Sequence, residues 1–191
     1  MSTALQEPQT TETVNYLNAE YGWKSWLFTT DHKRIAVLYL ISISVMFALG
    51  GVFAGLIRTE LLTPEGDLFN SDTYNKIFTM HGIVMVFFVL IPAVPAVLGN
   101  FVLPMMLGAR DLAFPFLNSL GLWLTVAGAI LINLFFVVGG DFANTGWLAL
   151  APFSELEFNP TVGVDYLIWS LQLFQVFFRK RKLNHSFPQL V

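Results

Sequence analysis

His81 stands near the start of the apolar run TMHGIVMVFF, residues 79–88, where an imidazole has little water to meet. In such a place it has three common uses: a hydrogen bond to a neighbouring helix, a step in a proton relay, or a bond to a metal. Gly82 removes the adjacent side chain and Ile83 to Phe88 supply an apolar wall, so a flat apolar cofactor can lie here with its metal on the ring. Arg58, in GLIRTEL, closes the preceding apolar stretch at what reads as a similar depth. Alone it is a snorkelling anchor; beside a His-bound macrocycle it can pair with a formyl or propionate group. Trp147, in NTGWLAL, is either an interfacial aromatic or an indole donor to the same acceptor.

A second polar set has a different character. Asn100 lies near the far end of the apolar stretch that carries His81, Asp111 is in the short link LGARDLAFPFLN, and Asn118 opens the next apolar stretch. Next to Arg110, Asp111 reads as a solvated or helix-capping carboxylate. The alternative is a proton-collecting acid at the mouth of a polar path lined by the two amides.

These residues need membrane helices to hold them. Of 191 residues, 55% are hydrophobic and 12% charged, too apolar a balance for the chain to cover itself in water. The formal net charge of −3 and the absence of cysteine indicate neither a nucleic-acid partner nor a disulfide or thiolate–metal framework. Residues 1–34 form a polar arm without a signal-peptide pattern, ending in an interfacial segment where Trp23, Trp26 and Phe28 sit beside His32, Lys33 and Arg34. Full-length spans follow at about 35–57, 77–103 and 117–138. A fourth starts near GVDYLIWSLQLFQVFF and meets the basic cluster Arg179 to Lys182 after about 15 apolar residues, short of a full crossing. The fold class is therefore all-α: a polytopic transmembrane helix bundle of three full spans and a truncated fourth.

In the first span Gly51 and Gly55 have the spacing of a close helix contact. In the second, Pro92 and Pro95 remove two backbone donors and predict a bend inside a bundle. An N-terminus on the cytoplasmic side puts Lys24, Lys33, Arg34, Arg110 and the 179–182 cluster together and leaves Arg58 and Lys76 opposite.

The blocks TTDHKRIAVLYL, GLIRTEL, FTMHGIVMVFFVLIP, GNFVLPMMLGARDLAFPFLN, TGW and VDYLIWSLQ, in this order, resemble the N-terminal part of subunit I of haem-copper oxidases, most closely a bacterial cytochrome c oxidase. The resemblance runs from Trp26 to Gln172. It implies a twelve-helix enzyme of the bacterial inner membrane that reduces dioxygen to water and pumps protons, with cytochrome c as donor through a copper-bearing subunit. It further implies that His81 is one of two axial ligands of a low-spin haem, with Arg58 and Trp147 at the haem periphery. Asp111, Asn100, Asn118 and Tyr39 correspond to a proton-channel entrance, and Glu60 to a ligand of an outer calcium or sodium ion. The second haem histidine, the second haem and the copper site correspond to nothing in this chain.

The departures bear on function too. Residues 35–175 form the partial oxidase domain, and the basic segment 176–191 is read as a frameshift or truncation, with His185 an incidental exposed residue. Ser119 stands where a second asparagine is usual, and Gly121 where a serine is usual. Quinol oxidases of the related type also resemble this chain, but the polar quartet they place around quinone is here Leu49, Phe53, Thr73 and Lys76. The isolated chain lacks so many ligands that a non-catalytic membrane remnant is the rival from another class.

Overall fold

The computed structural model describes residues 15–17, 22–64, 66, 68–112, 114–138, 142–160 and 162–186, without the side chains of residues 135, 138 and 176–186. A single turn of helix, α1 (Trp23–Leu27), precedes α2 (His32–Glu60), α3 (Ser71–Leu107), α4 (Pro115–Val138) and α5 (Gly163–Ser186). There is no strand among the described residues. Three segments are long and apolar enough to cross a bilayer: His32–Glu60, Ser71–Leu107 and Pro115–Leu134.

Each boundary has a local cause. Asp31 caps α2 by accepting the Lys33 N–H at 2.8 Å, and Asn70 caps α3 through the Thr73 N–H at 2.8 Å. α3 ends at Gly108, whose φ of 66° supplies the left-handed turn that returns N–H groups to the last carbonyls. α2 and α3 are longer than the apolar pattern alone predicts, because polar turns flank the greasy run of α2 and precede that of α3. In α3 this adds Ser71 to Lys76 ahead of Ile77, so His81 lies ten residues from the helix start, about 15 Å at the helical rise.

Where the prolines predicted a bend, the structure shows a widening of the helix. Backbone bonds switch to the π pattern over Val84–Leu90 and Ala93–Leu98, around Pro92 and Pro95, which re-pairs carbonyls that those rings cannot serve.

Two apolar clusters hold the bundle. One, toward the end where α2 finishes and α3 begins, labelled outer for reference, gathers Phe53, Met80, Ile83, Phe88, Ile132 and Phe174; the other, toward the opposite end, labelled inner, gathers Ile35, Tyr39, Ile43, Ala96, Val97 and Leu122. At Gly128 the backbone of α5 comes so near that a Cβ would stand 2.7 Å from the Ser170 carbonyl oxygen. The contact anticipated at Gly51 and Gly55 does not form among the described residues: both face open space. Gly50, one residue earlier, is the glycine in close packing, with an added Cβ 2.6 Å from the Met85 sulfur.

α5 does not stop where the apolar pattern does. Its helix runs through Arg179 to Lys182 as far as Ser186, the last described residue, although it is not among the three apolar spans. The side chain of His185 and residues 187–191 lie outside the described residues.

Candidate functional site

The sequence-predicted residues fall into two groups at opposite ends of the bundle. At the outer end, the half-buried His81 ring is within 2.9 Å of the Gly50 carbonyl through Nδ1. A carbonyl can only accept, so Nδ1 carries the proton and Nε2 is left with its lone pair. This is the tautomer that a metal-ligating histidine requires, with its other nitrogen oriented by a backbone acceptor. Gly50 brings α2 close enough for that bond because it has no side chain to hold the helices apart.

Trp147 comes to the same stretch of α3 from the loop after α4. The Gly146 N–H donates to Thr79 Oγ1 at 3.0 Å, and Trp147 then packs on Gly82, where a Cβ would meet the Trp147 Cβ at 2.8 Å. Its ring lies 6.5 Å from Phe87. Further out, Asn144 donates to Asp72 at 2.9 Å, Asp72 pairs with Lys76 at 2.6 Å, and Asn159 donates to Asn144 at 2.8 Å. The loop is therefore pinned along the first three turns of α3.

Arg58 is exposed and makes no hydrogen bond or ion pair among the described residues. It does not share the depth of His81. It sits eight residues beyond Gly50 on α2, about 12 Å further toward the outer end at the helical rise. Glu60 is 7% exposed and its Oε2 accepts the Leu68 and Phe69 N–H groups, both at 3.1 Å. Oε1 faces Gly66, whose positive φ of 64° and missing Cβ let the loop fold over the carboxylate. No cluster of three or more metal-ligating side chains occurs among the described residues.

At the inner end, Asp111 accepts from His32 Nδ1 at 2.9 Å and from the Leu112 N–H at 2.7 Å. The Asp111 side chain is 47% exposed while that of His32 is 8% exposed, so the acid meets solvent and the imidazole lies behind it. Asn100, with no exposure, accepts from Asn118 Nδ2 at 3.0 Å and donates to the Ala96 carbonyl at 2.6 Å. Tyr39 is 1% exposed beside Ala96 and Leu122. A buried polar seam thus links α3 and α4 just above the Asp111 loop.

Sequence reasoning counted His32 only as an interfacial base and did not see its bond to Asp111, which spans 79 positions. It also missed Gly50, Thr79 and Asn144. The available signals were weak: a histidine at a helix start, and hydroxyl and amide side chains beside the His81 and Trp147 blocks. Arg34, assigned to the interface, is only 6% exposed; it bonds Ser25 Oγ at 2.8 Å and stacks on Trp26 at 5.2 Å. It anchors α1.

Three segments long and apolar enough to cross a membrane, with an oriented imidazole toward one end and a carboxylate–amide set at the other, define a polytopic membrane protein. The chain belongs to the family Cytochrome C and Quinol oxidase polypeptide I, whose pattern matches residues 34–179, past the Gln172 limit of the quoted blocks. It is 47% identical over 156 residues to "Probable cytochrome c oxidase subunit 1" of Bradyrhizobium diazoefficiens, covering 80% of this chain and 23% of that protein. It is equally 47% identical over 157 residues to "Cytochrome bo(3) ubiquinol oxidase subunit 1" of Buchnera aphidicola subsp. Schizaphis graminum, covering 81% and 24%. With "Probable quinol oxidase subunit 1" of Staphylococcus epidermidis the identity is 43% over 154 residues, covering 81% and 23%. The chain spans about a quarter of the length of these relatives. It is a bacterial membrane protein of an oxidoreductase family whose members work in multi-subunit oxidases.

Proposed function

We propose that this chain is part of the catalytic subunit of a terminal respiratory oxidase that passes electrons from cytochrome c to dioxygen, forming water, coupled to proton pumping. The observation that carries the reading is the His81 ring: Nδ1 is committed to Gly50, and Nε2 is free to hold haem iron. The residues fit that group. The His81 ring is half-buried with Nε2 unbonded among the described residues, the face at Gly82 is taken by Trp147, and the Trp147 indole and Arg58 guanidinium are donors for the peripheral acids of a macrocycle. When bound, a low-spin haem supplies one-electron transfer. The second histidine, the second haem and copper come from outside this stretch of chain, including a copper-bearing partner subunit.

The protein's own part is to bind, orient and conduct. Gly50 fixes the imidazole plane, and the apolar wall keeps water from the ring. Asp111, half in solvent, takes up protons at the cytoplasmic face, with His32 holding its carboxylate in place. Asn100, Asn118 and Tyr39 line the way inward. Cytoplasmic placement of this end is favoured by Lys24, Lys33, Arg34 and Arg110, which gather where α2 begins and α3 ends. Glu60 is assigned to an outer calcium or sodium ion through Oε1, with Oε2 retained by its loop.

Relatives of both donor classes are equally similar, so the donor rests on this chain's own residues. Phe53 is 6% exposed against Phe136 at 5.3 Å, Leu49 packs on the same cluster, and Lys76 is tied to Asp72. A quinone carbonyl finds no set of donors there. The test is turnover of the oxidase that contains this sequence: it oxidises reduced cytochrome c and not quinol, and turnover with quinol alone contradicts the assignment. Asp111→Asn depresses oxygen consumption and pumping together; unchanged rates with intact pumping remove the channel role.

A further inference from the structure

We propose that Thr79 and Gly82 are positioning residues that set where the Trp147 indole stands on the stretch of α3 that carries His81. What the indole meets rests on the haem reading above; its seating is a property of this chain alone.

Thr79 has no exposed surface, and both capacities of its hydroxyl are in use. Oγ1 donates to the Asn75 carbonyl at 2.7 Å and accepts the Gly146 N–H at 3.0 Å. A buried hydroxyl in an apolar surrounding is costly unless bonded, so the hydroxyl is a selective dock for one loop amide. Gly146 has φ of 74°, a left-handed conformation that suits a glycine and turns its N–H toward Thr79 while the next residue drops onto α3.

Gly82 lies three positions after Thr79, on the same face of the helix. A Cβ there would stand 2.8 Å from Trp147 Cβ and 3.2 Å from its Cγ. Those atoms are the root of the side chain and move only with the loop backbone. Hydroxyl and notch together fix both the height and the closeness of the indole. Because both lie within one turn of His81 on α3, the imidazole and the indole are referenced to a single helix.

The arrangement leaves the donor free: Trp147 is 40% exposed, and its Nε1–H makes no hydrogen bond among the described residues. Trp123, by contrast, spends its indole N–H on the Leu27 carbonyl at 2.9 Å. An indole held rigidly with its N–H unused is preorganised for an anionic or carbonyl acceptor reaching that stretch of α3.

The test uses the full chain in lipid nanodiscs, labelled with 5-fluorotryptophan, with the Trp147 resonance assigned by Trp147→Phe. Thr79→Val should shift and broaden that line, Thr79→Ser should restore it, and Gly82→Ala should displace it. The Trp123 line, at the other end of the bundle, should stay in place and report an intact fold. If Thr79→Val does not fold, Gly82→Ala carries the test by itself. A Trp147 line unmoved in the folded variants overturns the proposal. A second readout separates it from the haem reading: in the haem-loaded oxidase, Thr79→Val should shift the low-spin haem absorption band and Thr79→Ser should not. Absence of any such band in the unmodified oxidase would sink the haem reading and leave the fluorine result standing by itself.

Discussion

The Asn100–Asn118 bond can be weighed by a double-mutant cycle with leucine, which nearly matches asparagine in size. Asn118→Leu removes the donor that reaches Asn100 Oδ1 at 3.0 Å, and that oxygen belongs to a residue with no exposure. Leaving a buried acceptor unsatisfied costs about 1–3 kcal/mol, whereas replacing both partners by apolar groups of similar shape is nearly neutral. Interhelical pairs in membranes couple more weakly, by about 0.6 kcal/mol on average and up to about 1.7, because the unfolded chain in lipid also finds partners. The expected cost of Asn118→Leu is therefore about 1–1.5 kcal/mol, within both ranges. Asn100→Leu should cost about the same, since its other bond, to Ala96, lies within one helix and returns little when lost. The double variant should fall short of the summed costs by about 1 kcal/mol. Unfolding of the purified chain in mixed micelles of rising SDS content, followed by far-ultraviolet circular dichroism, measures all four corners. Costs that add to within about 0.3 kcal/mol would refute the reasoning, because independent sites behave that way.

Four further outcomes follow from the packing and the polar bonds. Gly128→Ala, which drives a methyl into the Ser170 carbonyl, should destabilise the chain by about 1–3 kcal/mol in the same titration. Gly51→Ala, facing open space, should instead stabilise it by about 0.5–1 kcal/mol through helix propensity. Glu60→Ala should release the α2–α3 loop, read as faster amide hydrogen exchange at Leu68 and Phe69 with no change at the Thr79 end of α3. His32→Leu should lower stability by about 0.5–1.5 kcal/mol, because Asp111 loses a partner but stays half in water.

Hydropathy located the spans because lipid imposes a length on any apolar helix. It placed the ends of α3 too far inward, because the polar turn at 71–76 is set by the Asn70 cap and the stop at 108 by a left-handed glycine, neither of which hydropathy reads. The prolines at 92 and 95 announced an irregular helix, though not that the irregularity would be a π-helical widening. Close glycine packing was a matter of one residue: G-x-x-x-G named Gly51 and Gly55, yet the helix rotation needed to bring a carbonyl to His81 presents Gly50. Long-range polar partners were the least accessible. Nothing local in TTDHKR says that His32 will meet Asp111 across 79 positions, and nothing around Thr79 says that its hydroxyl will receive Gly146. The candidate site residues were recoverable as types in a pattern. The atoms that orient them belong to other helices and become visible only once the bundle has closed.

The central claim is that Nε2 of His81 holds haem iron. Electron paramagnetic resonance of the oxidase containing this sequence tests it most directly, comparing the native protein with His81→Ala. The account predicts a low-spin ferric haem signal that disappears in the variant while the protein remains assembled in the membrane; the same signal, unchanged in position and amplitude without the imidazole, would contradict it.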